Sequence, residues 1–211
     1  MLQTEPASDS MATRTTIRGL RSRLALLLFP ALWLGAGSVW ADSGAGLSPG
    51  SPAPNFALTT QQNDRLWLTQ LRGRAVVLAF GCTTCGACPD VVTRLKGVAQ
   101  GLGDAPGRRV FFALVTVDPA RDSPTVLREF GRAHDLRAPA WILLTEDRPG
   151  QTDVVARRFG IDIRRAGGRT EASCAVTLID GGGVIRARYE LDTLGALAAD
   201  LRAALGLPAA P

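Results

Sequence analysis

The sequence predicts an α/β fold, a sandwich whose mixed central sheet is flanked by helices and preceded by an N-terminal hairpin. Three observations predict it. From Phe56 onward, apolar runs of strand length alternate with helical periods. The segment RAVVLAF (74–80) is apolar without alternation, as in a strand covered on both faces. A C-x-x-C stands between that strand and the next helix, which is the thioredoxin-like arrangement.

Taken in order, FALTT and RLWLTQ read as a short antiparallel hairpin, and RAVVLAF as the first buried strand. A helix follows, with Pro89 in its opening turn and Val91, Val92, Leu95, Val98 and Leu102 at helical spacing. RRVFFALVTVD is the second buried strand. DSPTVLREFGRAHDL is a helix with Ser123 as N-cap and Pro124 at its first position. AWILLTE is a third strand and TDVVARRFGI a short helix. CAVTLID and VIRARYEL, joined by Gly181-Gly182-Gly183, form a hairpin, and TLGALAADLRAAL is an amphipathic last helix.

The N-terminus reads as an export signal. Arg14, Arg18, Arg21 and Arg23 form a basic region, Leu24 to Trp33 is almost wholly apolar, and Val39 and Ala41 fit the −3 and −1 positions of a cleavage site. The alternative is an uncut anchor, for which the Gly/Ser-rich second half of the segment is weak. Three segments result: 1–41 signal, 42–54 Gly/Ser/Pro tether, and 55–207 one domain with a sizeable core. The formal charge is +5 for the whole chain. Four arginines and two carboxylates precede the cut, leaving about +3 with the basic residues scattered. That balance argues against a nucleic-acid partner and against a membrane surface other than through the N-terminal segment.

All four cysteines, Cys82, Cys85, Cys88 and Cys174, follow the signal. In an oxidising compartment disulfides persist, yet a domain this large needs none to hold its fold. The cysteines therefore point to chemistry. Cys85 and Cys88, three apart at a helix start, suit a small-ring disulfide, and the helix N-terminus favours the thiolate that both thiol exchange and soft-metal binding require.

FGCTTCGACPD followed by VTVDPARDSPTVLREF resembles the Sco/SenC family of copper-site assembly proteins. Phe80, Gly81, Thr83, Cys85, Cys88 and Pro89 match the family's first motif. Val117, Asp118, Pro119, Arg121, Asp122 and Pro124 match the second. The likeness runs from GSPAPNFAL to VTLIDGGGVI. It implies a thioredoxin-like fold, a Cu(I) cargo held by Cys85 and Cys88, and a copper-enzyme subunit as partner, such as that carrying the copper site of cytochrome oxidase.

The departures from the family pattern are specific. The family's cysteines are separated by three residues and here by two, and the family's histidine falls on Ala172. The chain's single histidine, His134, lies in GRAHDL and reads as a solvated helix-end residue. Cys174, two residues after Ala172 and on the same face of an extended segment, is the candidate third ligand. Cys82, at the family's tyrosine position, and Asp118 are secondary candidates. The same placement also allows a Cys82–Cys174 disulfide beside a redox-active Cys85–Cys88 pair. Two other readings stand beside assembly: a general thiol–disulfide oxidoreductase with Cys85 attacking and Cys88 resolving, and a binding or sensing module without turnover.

Overall fold

The computed structural model describes residues 47–86 and 88–208, with Cys88 and Pro89 given by their backbone alone. The export signal expected over 1–41 lies outside the described residues. Among the described residues no helix is long and apolar enough to cross a membrane.

Strands β1 (Ala57–Thr60) and β2 (Arg65–Trp67) form the N-terminal hairpin, in register Ala57↔Trp67 through Thr59↔Arg65. The hydroxyl of Thr60 accepts from the N–H groups of Gln62 and Asp64, which closes the turn. A 3₁₀ turn at Leu68–Leu71 replaces the second half of the expected strand and buries Leu68 and Leu71. The chain then runs through β3 (Ala75–Gly81), α1 (Cys88–Gln100), β4 (Val110–Thr116), α2 (Pro124–Ala133), β5 (Trp141–Thr145) and α3 (Gln151–Arg158). As the capping pattern requires, Ser123 accepts from the Val126 N–H with Pro124 in the first helical turn.

After α3 come β6 (Ile163–Ala166) and β7 (Arg169–Ala172), a hairpin that the apolar pattern does not announce. Its turn is Gly167-Gly168, with φ of +56° and +74°, a left-handed pair that glycine adopts without strain. β8 (Val176–Ile179), β9 (Ile185–Tyr189) and α4 (Leu197–Leu205) complete the domain.

Seven strands make one sheet in the order β2-β1-β5-β4-β3-β8-β9, and β6-β7 stand apart as a second sheet. β3, β4 and β5 are mutually parallel, while β8 runs antiparallel to β3 and β1 antiparallel to β5. The sheet is therefore mixed and its middle fully covered. β3 sends Val77 and Ala79 into a core shared with α1, α2 and α4. It sends Val76, Leu78 and Phe80 into the opposite core, with α3 and the N-terminal segment. This two-sided burial is why RAVVLAF shows no alternation. The architecture is the thioredoxin-like sandwich that the sequence predicts.

Candidate functional site

The site lies at the C-terminal end of β3, where the chain must turn from strand to helix. Val117 N–H donates to the Gly81 carbonyl and so extends the β3–β4 ladder to the strand ends. Beyond Gly81 the residues Cys82-Thr83-Thr84-Cys85 form a tight loop, closed by the Cys85 N–H on the Cys82 carbonyl at 3.2 Å. Cys82 and Cys85 are joined in a disulfide, with their Cα atoms 5.1 Å apart. Both are buried, 2% and 7% exposed, and both belong to the core under α3.

The sequence reading places the dithiol at Cys85 and Cys88. In the structure Cys85 is bonded to Cys82, and Cys88 is the first residue of α1. Cys174 is a free thiol, so no Cys82–Cys174 bond is formed. It lies just ahead of β8, beside the end of β3, because β8 pairs with β3 up to Ala79↔Val176. Cys85 and Cys174 border one cavity of about 180 Å³, together with Phe80, Gly81, Gly86 and Glu171. Burial pushes the Cys174 thiol above its ordinary pKa, and the carboxylates of Glu190 and Asp90 add to that shift.

The β6–β7 hairpin covers the disulfide. The Thr170 carbonyl oxygen is 3.2 Å from Cys85 Sγ and 3.7 Å from Cys82 Sγ. Two arginines fasten the hairpin. Arg165 forms a two-pronged pair with Asp153 of α3 at 2.6 and 3.0 Å and donates to the Val117 carbonyl at 2.9 Å. Arg121 reaches the Gly168 carbonyl at 2.8 Å and the Asp118 carboxylate at 2.6 Å. Thr170 and Arg165 escape a sequence reading because neither belongs to a recognisable motif.

The second motif packs against the same loop. Asp118 is buried and holds Arg121, and its N–H donates to the Thr116 hydroxyl. Asp122 is wholly buried and receives the Thr83 N–H at 3.1 Å, the Thr83 hydroxyl at 2.5 Å and the Thr116 hydroxyl at 2.5 Å. His134 is elsewhere: it caps α2 with its ring against Phe130, and its carbonyl accepts from Lys96. Among the described residues no three His, Cys, Asp or Glu side chains are grouped to hold a metal ion. As it stands, the arrangement is a covered disulfide beside a free thiol.

The model of the SCO1/SenC family matches residues 47–205. A Stutzerimonas stutzeri protein named for copper binding is 34% identical over 71 residues, 33% of this chain and 35% of that protein. The chain thus matches about a third of that curated relative's length. Among solved structures, apo Sco1 of Thermus thermophilus is 28% identical with a TM-score of 0.62, over 75% of this chain and 95% of that one. BsSco, a protein in which a disulfide switch is identified, is described as a member of the Sco family of cytochrome c oxidase assembly proteins. It has a TM-score of 0.64 at 20% identity, over 75% of this chain and 96% of its own, a likeness of fold.

Proposed function

The chain belongs to the SCO1/SenC family, and from that premise we propose that it is an exported assembly factor for a copper enzyme. It works through thiol–disulfide exchange centred on Cys85 and takes Cu(I) as cargo in its reduced form. Its client is the subunit that carries the copper site of a cytochrome oxidase. The observation that carries this reading is the cavity shared by the disulfide sulfur of Cys85 and the free thiol of Cys174.

In the exchange step a partner's thiolate attacks Cys85 Sγ, the Cys82–Cys85 bond breaks, and the Cys82 sulfur leaves as a thiolate that takes up a proton. A second thiolate of the partner resolves the mixed disulfide, so the partner's dithiol is oxidised as the chain's pair is reduced. Run in reverse, the reduced chain converts a client disulfide into the dithiol that a copper site needs. Cys88, at the start of α1, is the alternative partner for Cys85 in this exchange.

The candidate donors are chiefly sulfur, since the Asp118 carboxylate is already engaged by Arg121. Disulfide sulfurs do not offer the thiolate that Cu(I) favours. Reduction makes the Cys85 thiolate available, and Cys88 and Cys174 are the other sulfur candidates that the sequence offers Cu(I) in place of the family's histidine. Loading is thereby tied to reduction. The second reading, a general thiol–disulfide oxidoreductase, draws support from Ala172 at the position of the family's histidine and from the Cys82–Cys85 disulfide.

A competition titration with a Cu(I) chelator separates the two. The reduced protein is expected to hold Cu(I) tightly, Cys174→Ser to hold it more weakly, and the oxidised protein not to hold it. A reduced protein that loses to a modest chelator while still exchanging disulfides would leave the oxidoreductase reading.

A further inference from the structure

The two sequence motifs meet physically at Asp122, which stands at the entrance to α2 and 39 residues from Thr83. Nothing in the fold of α2 requires a carboxyl there, since Ser123 already caps the helix through the Val126 N–H. Asp122 instead turns inward. Its two oxygens receive one N–H and two hydroxyls, and both Thr83 donors belong to the loop between the disulfide cysteines. The opposite anchor is β4, through Thr116, which also accepts from the Asp118 N–H. Arg121, the nearest cation in sequence, pairs with Asp118. The carboxyl is thus engaged by the cysteine loop on one side and the sheet on the other.

We propose that Asp122 is a positioning residue for the dithiol, acting through Thr83 to keep Cys82 and Cys85 in bonding range whichever redox state they are in. The proposal rests on the exchange reading given above. A loop of two residues between cysteines can splay once the S–S bond is cut. Thr83, held at both its N–H and its hydroxyl, cannot swing outward without leaving Asp122. The two thiols therefore stay at a high effective concentration, and re-forming the bond requires little additional ordering. Loosening Thr83 makes the disulfide easier to reduce.

The test is the equilibrium of the intact protein with reduced and oxidised glutathione, read by differential alkylation at each cysteine and accompanied by thermal melts. Thr83→Val removes the hydroxyl while keeping the side-chain shape, and Thr83→Ser keeps the hydroxyl. The expected result is an equilibrium shifted about tenfold toward the dithiol in Thr83→Val, at least as far in Asp122→Asn, and within about twofold of wild type in Thr83→Ser. If Thr83→Val and Asp122→Asn lower the melting temperature but leave the equilibrium unmoved, the carboxyl serves the fold alone and the proposal is wrong. Should Asp122→Asn fail to fold, the two Thr83 variants decide the matter. A wild-type protein with no exchangeable Cys82–Cys85 bond would instead overturn the exchange reading itself, and this proposal with it.

Discussion

Replacing Arg165 by alanine should expose the disulfide without unfolding the domain. Arg165 fastens the β6–β7 hairpin by its paired bonds to Asp153 and by a bond to the Val117 carbonyl. The ion pair is partly solvated, with side chains 45% and 29% exposed, so it contributes at most about 1 kcal/mol. The bond to the buried strand end adds roughly 1 kcal/mol. Together they stabilise the closed hairpin by about 1–2 kcal/mol, a factor of roughly 5–30 in the open population. If a reductant reaches the sulfurs only when Thr170 has moved away, the rate of disulfide reduction by a phosphine should rise by that factor in Arg165→Ala. Added salt should quicken the wild type and leave the variant almost unaffected, because it screens the exposed pair. Amide exchange in β3 supplies the control, since a local opening leaves that strand protected. An unchanged reduction rate would refute the idea that the hairpin gates the disulfide, as would an increase matched by faster exchange throughout β3.

Three further outcomes follow from single contacts. Gln61 is buried and bridges β5 by donating to the Trp141 carbonyl and accepting from the Leu143 N–H, so Gln61→Ala should cost about 2–4 kcal/mol in urea unfolding. Thr177 carries a buried hydroxyl without a hydrogen-bond partner among the described residues, and Thr177→Val should raise stability by about 1 kcal/mol, seen as a higher melting temperature. At Asp180, burial alone would raise the carboxyl pKa, but the Val184 N–H and Arg186 outweigh it and hold the group below the ordinary carboxylate range. A lowered folded value stabilises above the unfolded pKa of about 4 and is lost as pH falls through the folded one. Asp180→Asn should therefore be less stable than wild type at pH 7, with the gap narrowing as pH falls below about 4 in paired melts.

Most of the sheet is legible in the sequence because its strands follow burial. β3 and β4 are buried at every residue, and their apolar runs say so. The β6–β7 hairpin is illegible for the same reason. IRRA and RTEA face largely outward, so they show no apolar period, and the Gly167-Gly168 pair was the one available signal. The cysteine cluster was legible as a site, but its pairing was not. Cys82-Thr-Thr-Cys85 and Cys85-Gly-Ala-Cys88 are overlapping C-x-x-C motifs, and spacing ranks them equally. The helix-start argument favours the second, whereas the structure closes the first with Thr83 bound to a carboxyl on a distant segment. Tertiary contacts of that kind leave no local trace. Cys174, by contrast, could be placed near Cys85 from strand order alone, and both border the same cavity.

Cys82 and Cys85 are also members of the apolar core under α3, which makes redox state and folding two legs of one thermodynamic cycle. Whatever the native packing does to the tendency of the bond to form, the bond returns in full to the free energy of unfolding. For a two-electron couple, every 30 mV by which folding displaces the potential corresponds to about 1.4 kcal/mol between the oxidised and reduced stabilities. A partner that reduces this protein therefore also alters how tightly one half of its interior is held. The unfolding free energies of the two redox forms, measured at one temperature, give the potential difference between native and unfolded chain without an electrode.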